Sequence, residues 1–264
     1  MLIVAERINS SRKFVTKAIE NKDREFIQNE ARIQTEAGAD YIDVNAGSFI
    51  GEETQRLEWV IQVVQEATDL PLCIDSPDPE VIKAVLPLLD RTPMVNSITM
   101  EPVRLEGILP LVAEQGAKVI GLCQSEDTMA ETVEDKIRVA GQLVEEVSKM
   151  GIPLDDLYID PLVYPLSSNP DSGLAVLEAI DRIMKEFPGV HTICGLTNVS
   201  YGLPSRKLIN RTFLVAAITK GLDGVIMDPT DKEIFGALKA ALTVVSKDEY
   251  CMEYIAAFRD GRLP

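Results

Sequence analysis

Histidine is almost missing from this chain: a single imidazole, His191, stands in 264 residues. A Ser/His/Asp triad needs a base beside its nucleophile, and a histidine-built metal centre needs several ligands. Cysteine is equally sparse. Cys73, Cys123, Cys194 and Cys251 lie far apart with no Cys-x-x-Cys pair, so nothing anchors a zinc site, and no metal bound by this chain is expected. Three of the four sit in apolar runs and are expected as buried thiols of a reducing compartment. No apolar run approaches the ~18 residues that cross a bilayer. The opening MLIVAERIN brings charge in at Glu6 and Arg7, too early for a signal peptide, so a cytoplasmic location is expected. Basic residues are outnumbered 26 to 42, giving a net charge of −16 and no basic stripe, which disfavours nucleic acid and anionic membranes as partners. Pro/Gly/Ser-rich linkers and low-complexity segments are absent too, and one domain over residues 1–264 is expected.

What the chain does contain is an alternation. Aromatics are only 5%, and the apolar content is mainly Leu, Ile, Val and Ala, which suits helices packed on a sheet. Eight short apolar runs occur at 2–6, 41–45, 71–75, 93–97, 118–123, 157–160, 192–196 and 224–228. Each is apolar on both faces, as strands of a buried parallel sheet are. Segments of helical period lie between them, at about 23–37, 53–67, 79–89, 102–115, 131–149, 172–187, 206–220 and 231–245. Gly38, Gly116, Gly151 and Gly221 follow helices where a left-handed residue is wanted. Residues from about 248 read as a last outer helix. Eight such repeats close into a (β/α)8 TIM barrel. The competing open doubly wound sheet lacks its Gly-x-Gly-x-x-Gly turn after the first strand.

The strand ends carry the chemistry. They run into Glu6 and Asn9, Asp43 and Asn45, Asp75, Asn96, Gln124, Asp160, Asn198 and Asp228. In this fold the C-terminal strand ends converge on the active site, while the other rim serves stability. His191, at the start of its strand, belongs to that other rim. No Lys closes a strand, which disfavours a Schiff base. A ring of carboxylates and carboxamides suits a neutral heterocycle rich in N–H donors, because a carboxylate accepts two parallel bonds from an amino-pyrimidinone edge and Asn both donates and accepts. Any one Asp or Asn after a strand is also an ordinary turn or cap residue. Composition therefore reaches a small-ligand barrel enzyme and goes no further.

At these same strand ends the chain resembles the methyltetrahydrofolate:corrinoid methyltransferases. These share a pterin-binding barrel with dihydropteroate synthase and with the folate domain of cobalamin-dependent methionine synthase. The matching stretches are Glu6-Arg7-Ile8-Asn9, Ala37-Gly38-Ala39-Asp40 leading to Asp43-Val44-Asn45, Leu72-Cys73-Ile74-Asp75-Ser76 and Val95-Asn96-Ser97. Leu157-Tyr158-Ile159-Asp160-Pro161-Leu162, Gly195-Leu196-Thr197-Asn198-Val199-Ser200 and Leu208-Ile209-Asn210-Arg211-Thr212-Phe213 continue the series.

The resemblance implies a methyl transfer between N5 of tetrahydrofolate and the cobalt of a corrinoid carried by a separate protein. It implies that Asp75, Asn96 and Asp160 hold the pyrimidinone edge of the pterin, with Asp43 and Asn45 lining the same mouth. It also places Asn198 at N5 as the catalytic residue, puts Arg206 beside the folate, and implies a homodimer. The cobalamin-ligating Asp-x-His-x-x-Gly motif is absent, since Gly189 stands where its Asp would be. The Tyr201-Gly202 loop departs from relatives. The Thr-Pro-Asp-Ser-Phe loop of dihydropteroate synthase is replaced by Ser10-Ser11-Arg12-Lys13-Phe14, which disfavours condensation with p-aminobenzoate. That condensing reaction and a non-catalytic folate-binding or corrinoid-docking module are the alternatives.

Overall fold

Runs that are apolar on both faces form strands when other layers cover both faces, and here they do. In the computed structural model, which describes residues 1–126 and 130–264, eight parallel strands form one sheet. They are β1 (Leu2–Asn9), β2 (Tyr41–Asn45), β3 (Leu72–Asp75), β4 (Met94–Ile98), β5 (Lys118–Leu122), β6 (Leu157–Asp160), β7 (His191–Thr192) and β8 (Gly224–Met227). Successive strands are neighbours from β1 to β7, and β8 lies on the free side of β1. A parallel bridge between Gly195 and Ile226 joins the two edges, so the sheet closes into a (β/α)8 barrel.

Ten α-helices surround it: α1 (Lys13–Glu20), α2 (Arg24–Glu36), α3 (Glu53–Gln65), α4 (Pro79–Val85), α5 (Pro102–Gln115), α6 (Val133–Lys149), α7 (Ser172–Glu186), α8 (Arg206–Thr219), α9 (Lys232–Val244) and α10 (Met252–Arg259). Four differences from the sequence pattern stand out. β1 runs three residues past Glu6, to Asn9. Helix α1 appears where no helix was expected, its Val15, Ala18 and Ile19 being buried on one face of only two turns. The 79–89 segment ends its α-helix at Val85 and continues as a 3-10 turn over Leu86–Leu88, where Pro87 has no N–H to carry the α-helical ladder. Strand β7 keeps only two residues before the chain turns into a 3-10 segment, Leu196–Ser200. Gly116 closes α5 in the left-handed conformation, as its position implied.

The interior explains the site. Val4, Tyr41, Cys73, Met94, Ile120, Tyr158 and Ile193 form a separate buried cluster joined by Ile226, one residue from each strand or its extension. This is the apolar plug of the barrel. Side chains alternate along a strand, so residues two further on point the same way. From the plug, two steps lead to Glu6, Asp43, Asp75, Asn96, Asp160 and Asp228. The larger clusters, including Ile42, Val44, Ile74 and Val95 on the outer faces of the strands, pack against the helices.

His191 lies at the opposite rim, as its place in the sequence implied. Its Nδ1 is 2.6 Å from Asp223 and its Nε2 3.1 Å from Asp155, and the ring stacks on Tyr158. Cys73, Cys123 and Cys194 are buried and unbridged, and Cys251 is exposed.

Candidate active site at the barrel mouth

A cavity of about 330 Å³ opens at the C-terminal strand ends, above the plug. Glu6, Asp43, Asp75, Asn96 and Asn198 supply its polar walls, with Asn9, Arg12, Gly195 and Thr197 beside them. Asp75 and Asn96 are register partners across β3 and β4, so their side chains stand together on the inward face. Asn198 comes from the 3-10 segment that replaces the rest of β7.

Three of the residues expected at the mouth lie beside this cavity, outside its lining. Asn45 accepts from the Ser10 hydroxyl at 2.9 Å and donates to the Asp75 carboxylate and carbonyl, both at 3.1 Å. It therefore aims Asp75. Asp160 is buried, and its Oδ1 accepts from the Leu162 N–H at 2.8 Å. Arg206 donates to the Thr197 carbonyl at 2.8 Å and the Ser200 hydroxyl at 3.1 Å, clasping the segment that carries Asn198. Two other strand-end residues are held by neighbours outside this cavity. Gln124 donates to Glu101, and Asp228 accepts from Arg7 at 2.9 Å and from Thr230. The fully buried Lys136 donates to the carbonyls of Ala130, Pro161 and Leu162, pinning the loop after β6 on which Asp160 depends.

Carboxyl groups above an apolar plug lose hydration, and every one in this cup titrates high. Burial pushes Asp75 up to about 6, against the pull of Asn45. Burial does the same to Asp160, also to about 6, against the backbone N–H groups of Leu162 and Gly195. Asp43 is held well above the usual carboxylate range by burial and by its neighbours Asp75 and Glu6, and its Oδ1 has no hydrogen-bond partner. Burial raises Glu6 to about 7, with Arg12 and Arg206 opposing and Asp228 reinforcing. Glu6 was visible in the sequence as a strand end, but its part in the cavity wall follows only from its inward parity above Val4.

A second cavity, of about 630 Å³, adjoins the first and shares Glu6, Arg12 and Thr197 with it. Arg7, Lys207, Arg211 and Lys232 line the second cavity beside the first turns of α8 and α9, together with Asp228, Asp231 and Glu233, to which Arg7, Lys207 and Arg211 are ion-paired. Buried Asn210 lines it with an unpartnered Oδ1. Among the described residues no group of three or more His, Cys, Asp or Glu is placed to hold a metal ion.

Comparison with known proteins agrees with this geometry. Residues 5–228 match the family model described as pterin binding enzyme. A methylcorrinoid:tetrahydrofolate methyltransferase of Eubacterium limosum is 39% identical over 265 aligned residues, covering 100% of this chain and 98% of that protein. Methionine synthase of Mycobacterium tuberculosis is 27% identical over 86% of this chain, which spans 20% of that longer protein. Among solved structures, dihydropteroate synthase from Yersinia pestis superposes with a TM-score of 0.69 at 18% identity over 93% of each chain. That from Stenotrophomonas maltophilia gives 0.66 at 20% identity, covering 94% of this chain and 92% of its own. At these identities the structural likenesses speak for the fold alone.

Proposed function

Because the chain belongs to the pterin-binding enzymes, within the methyltetrahydrofolate:corrinoid methyltransferases, we propose that it moves a methyl group between N5 of tetrahydrofolate and the cobalt of a corrinoid on another protein. The observation that carries this is the end-to-end likeness to the Eubacterium limosum methyltransferase, together with a carboxylate and amide cup at the mouth. Residues 1–264 act as one catalytic domain.

On this reading the pterin enters edge first. Asp75 and Asp160 accept the N–H donors of its pyrimidinone edge, Asn96 both donates and accepts, and Asp43 closes the floor. Asn45 keeps Asp75 aimed, and Arg206 keeps the Asn198 segment in place. The tail of the folate carries carboxylates, and in the adjoining cavity Arg7, Arg12, Lys207 and Arg211 would meet it by exchanging their present carboxylate partners, while Lys232 lines the same wall. A methylated amine is a poor methyl donor because its leaving nitrogen is poorly stabilised. Asn198 offers a hydrogen bond at N5 where charge changes during transfer, the kind of help worth about 10²–10³ in rate.

The corrinoid protein is expected to dock over the mouth. Phe14, Ile50, Val103, Leu174, Tyr201 and Leu208 are large, apolar and exposed, and all lie in loops after strands or in the first turns of the helices that follow. Exposed apolar groups gathered on one face mark interaction surfaces. The other such group, Val244, Tyr250, Met252 and Phe258, lies around α10 and is where a second copy would pack in the expected homodimer. No helix among the described residues is long and apolar enough to cross a membrane, and a cytoplasmic setting is part of the same reading.

The test mixes the protein with tetrahydrofolate and methylcobalamin, or with methyltetrahydrofolate and reduced cobalamin, and follows the visible spectrum. Exchange of methyl between the two supports the reading. Folate binding without any exchange in either direction refutes it in favour of a binding module.

A further inference from the structure

Methyl exchange with N5 does not balance without a proton. When N5 of tetrahydrofolate takes a methyl group, its lone pair forms the new N–C bond and the cobalt keeps the electron pair of the broken Co–C bond. The nitrogen then carries both methyl and hydrogen and must release H⁺. In the other direction H⁺ must be added to the methylated nitrogen before its bond to carbon breaks. Asn198 cannot supply or absorb that proton, because a carboxamide does not titrate in water's range.

We propose that Glu6 is the catalytic acid and base that exchanges this proton with N5. The proposal rests on the methyltransferase reading and deepens it. Its geometric ground is the position of Glu6 on the boundary of two cavities. Glu6 shares the wall of the polar cup with Asn198, and it also lines the adjoining cavity of mixed, ion-paired charge. In a folate the tail is attached at C6, the ring atom bonded to N5. A pterin seated in the cup with its tail leaving toward Arg7, Lys207 and Arg211 therefore brings N5 to the boundary, where Glu6 stands.

The other acids of the cup are committed elsewhere. Asp75 and Asp160 must be ionised to accept the pterin N–H groups. Asp43 is buried at the floor of the cup, where burial and its neighbours Asp75 and Glu6 hold its carboxyl well above the carboxylate range. Burial raises Glu6 to about 7. A group that gives and takes a proton at cellular pH works best there. The charges facing it are Arg12 from the loop after β1, Asp43 on β2, Arg206 at the start of α8 and Asp228 after β8. Arg12 lies 3.4 Å from its Oε1 and favours the ionised form.

Glu6→Gln keeps the size and removes the exchangeable proton. It should lower turnover by about 10²-fold or more, abolish the limb of the pH–rate profile near neutrality, and leave the Kd for tetrahydrofolate within about 3-fold. Arg12→Gln removes a cation that lowers the Glu6 pKa, so its limb should move to higher pH. A merely structural Glu6 would produce neither change. Should Glu6→Gln not fold, the Arg12→Gln profile decides alone. Wild-type turnover and pH dependence in Glu6→Gln, or an unmoved limb in Arg12→Gln, overturns the proposal and leaves the methyltransferase reading intact. Wild-type protein that binds folate yet exchanges no methyl overturns that reading itself.

Discussion

Replacing Asp75 with Asn should make the free protein more stable and the enzyme worse. In the folded chain burial raises this carboxyl to about 6 from its ordinary 3.8. Well below pH 3.8 it is protonated in both folded and unfolded states and contributes nothing to the difference. As pH rises toward 6 the unfolded chain ionises it freely while the fold resists, so the native state loses stability across that window. Above about pH 7 the loss is complete. The gap of about two units corresponds to at most about 3 kcal/mol, and relaxation of the mouth leaves an expected gain of about 1–3 kcal/mol for Asp75→Asn. For a chain of this size that is a rise of about 2–4 °C in Tm per kcal/mol. Asparagine has nearly the same shape, so the bond from Asn45 survives through its carbonyl oxygen. Its NH2, however, faces a pterin donor with another donor, which costs about 1–3 kcal/mol of binding.

Urea titrations at pH 4 and pH 7.5 and calorimetric folate titrations separate the two effects. The stability gain should appear in full at pH 7.5 and mostly disappear by pH 4, while the folate Kd rises about 5- to 150-fold. Wild-type folate affinity should itself fall as pH drops below about 6, where Asp75 and Asp160 take up protons. A variant that is less stable at pH 7.5 and binds folate normally would refute both the electrostatic account of the cup and its use as a pterin clamp.

Asn198→Ala should lower methyl transfer by about 10²–10³-fold while changing folate binding much less, as stopped-flow and equilibrium titrations would show. His191→Gln should leave transfer untouched and reduce stability at the opposite rim. Asp223 and Asp155 raise the imidazole pKa, so the paired charge stabilises the fold fully below about pH 6.5 and the contribution fades as pH rises through the folded value. Melting curves at pH 5.5 and 9 should therefore differ from wild type most at the lower pH. Gly107→Ala should cost about 1–3 kcal/mol in denaturant unfolding, because its Cβ would meet Pro79 side-chain atoms at 2.6 and 2.7 Å where α4 packs on α5.

The barrel was legible because parallel strands covered on both faces must be apolar throughout, and eight such runs at regular spacing admit few arrangements. That Asp43 and Asp75 stand at the mouth was legible from their place at the C-terminal ends of their runs, but that Tyr41 and Cys73 form the plug beneath them was not, because runs apolar on both faces hide which residues point inward. What was hidden depends on contacts between distant segments. That Asn45 braces Asp75 is a relation between residues 30 positions apart, made by one amide rotamer. Arg206 reads as a ligand-facing cation until the 3-10 segment folds its carbonyls against it. Helix α1 was hidden for a different reason: eight residues with three buried positions give too short a period to register.

The near absence of histidine from the mouth now has a physical account. The plug below the cup withholds water, and that is why Asp75 and Asp160 titrate near 6 and why ionising them destabilises the empty barrel. The same poverty of solvation makes them strong acceptors for any ligand that arrives with matched N–H donors, since the ligand replaces hydration they have already lost. A ligand lacking those donors leaves the charges uncompensated and is rejected by the same free energy. An imidazole among them would take up a proton and pair with the nearest carboxylate, as His191 does with Asp223 at the far rim. That pairing would stabilise the empty protein and discharge the clamp. With no ion-pair partner among the described residues, Asp75 and Asp160 remain unsatisfied until the pterin arrives, so the affinity for the ligand and the cost of holding the cup empty have one origin.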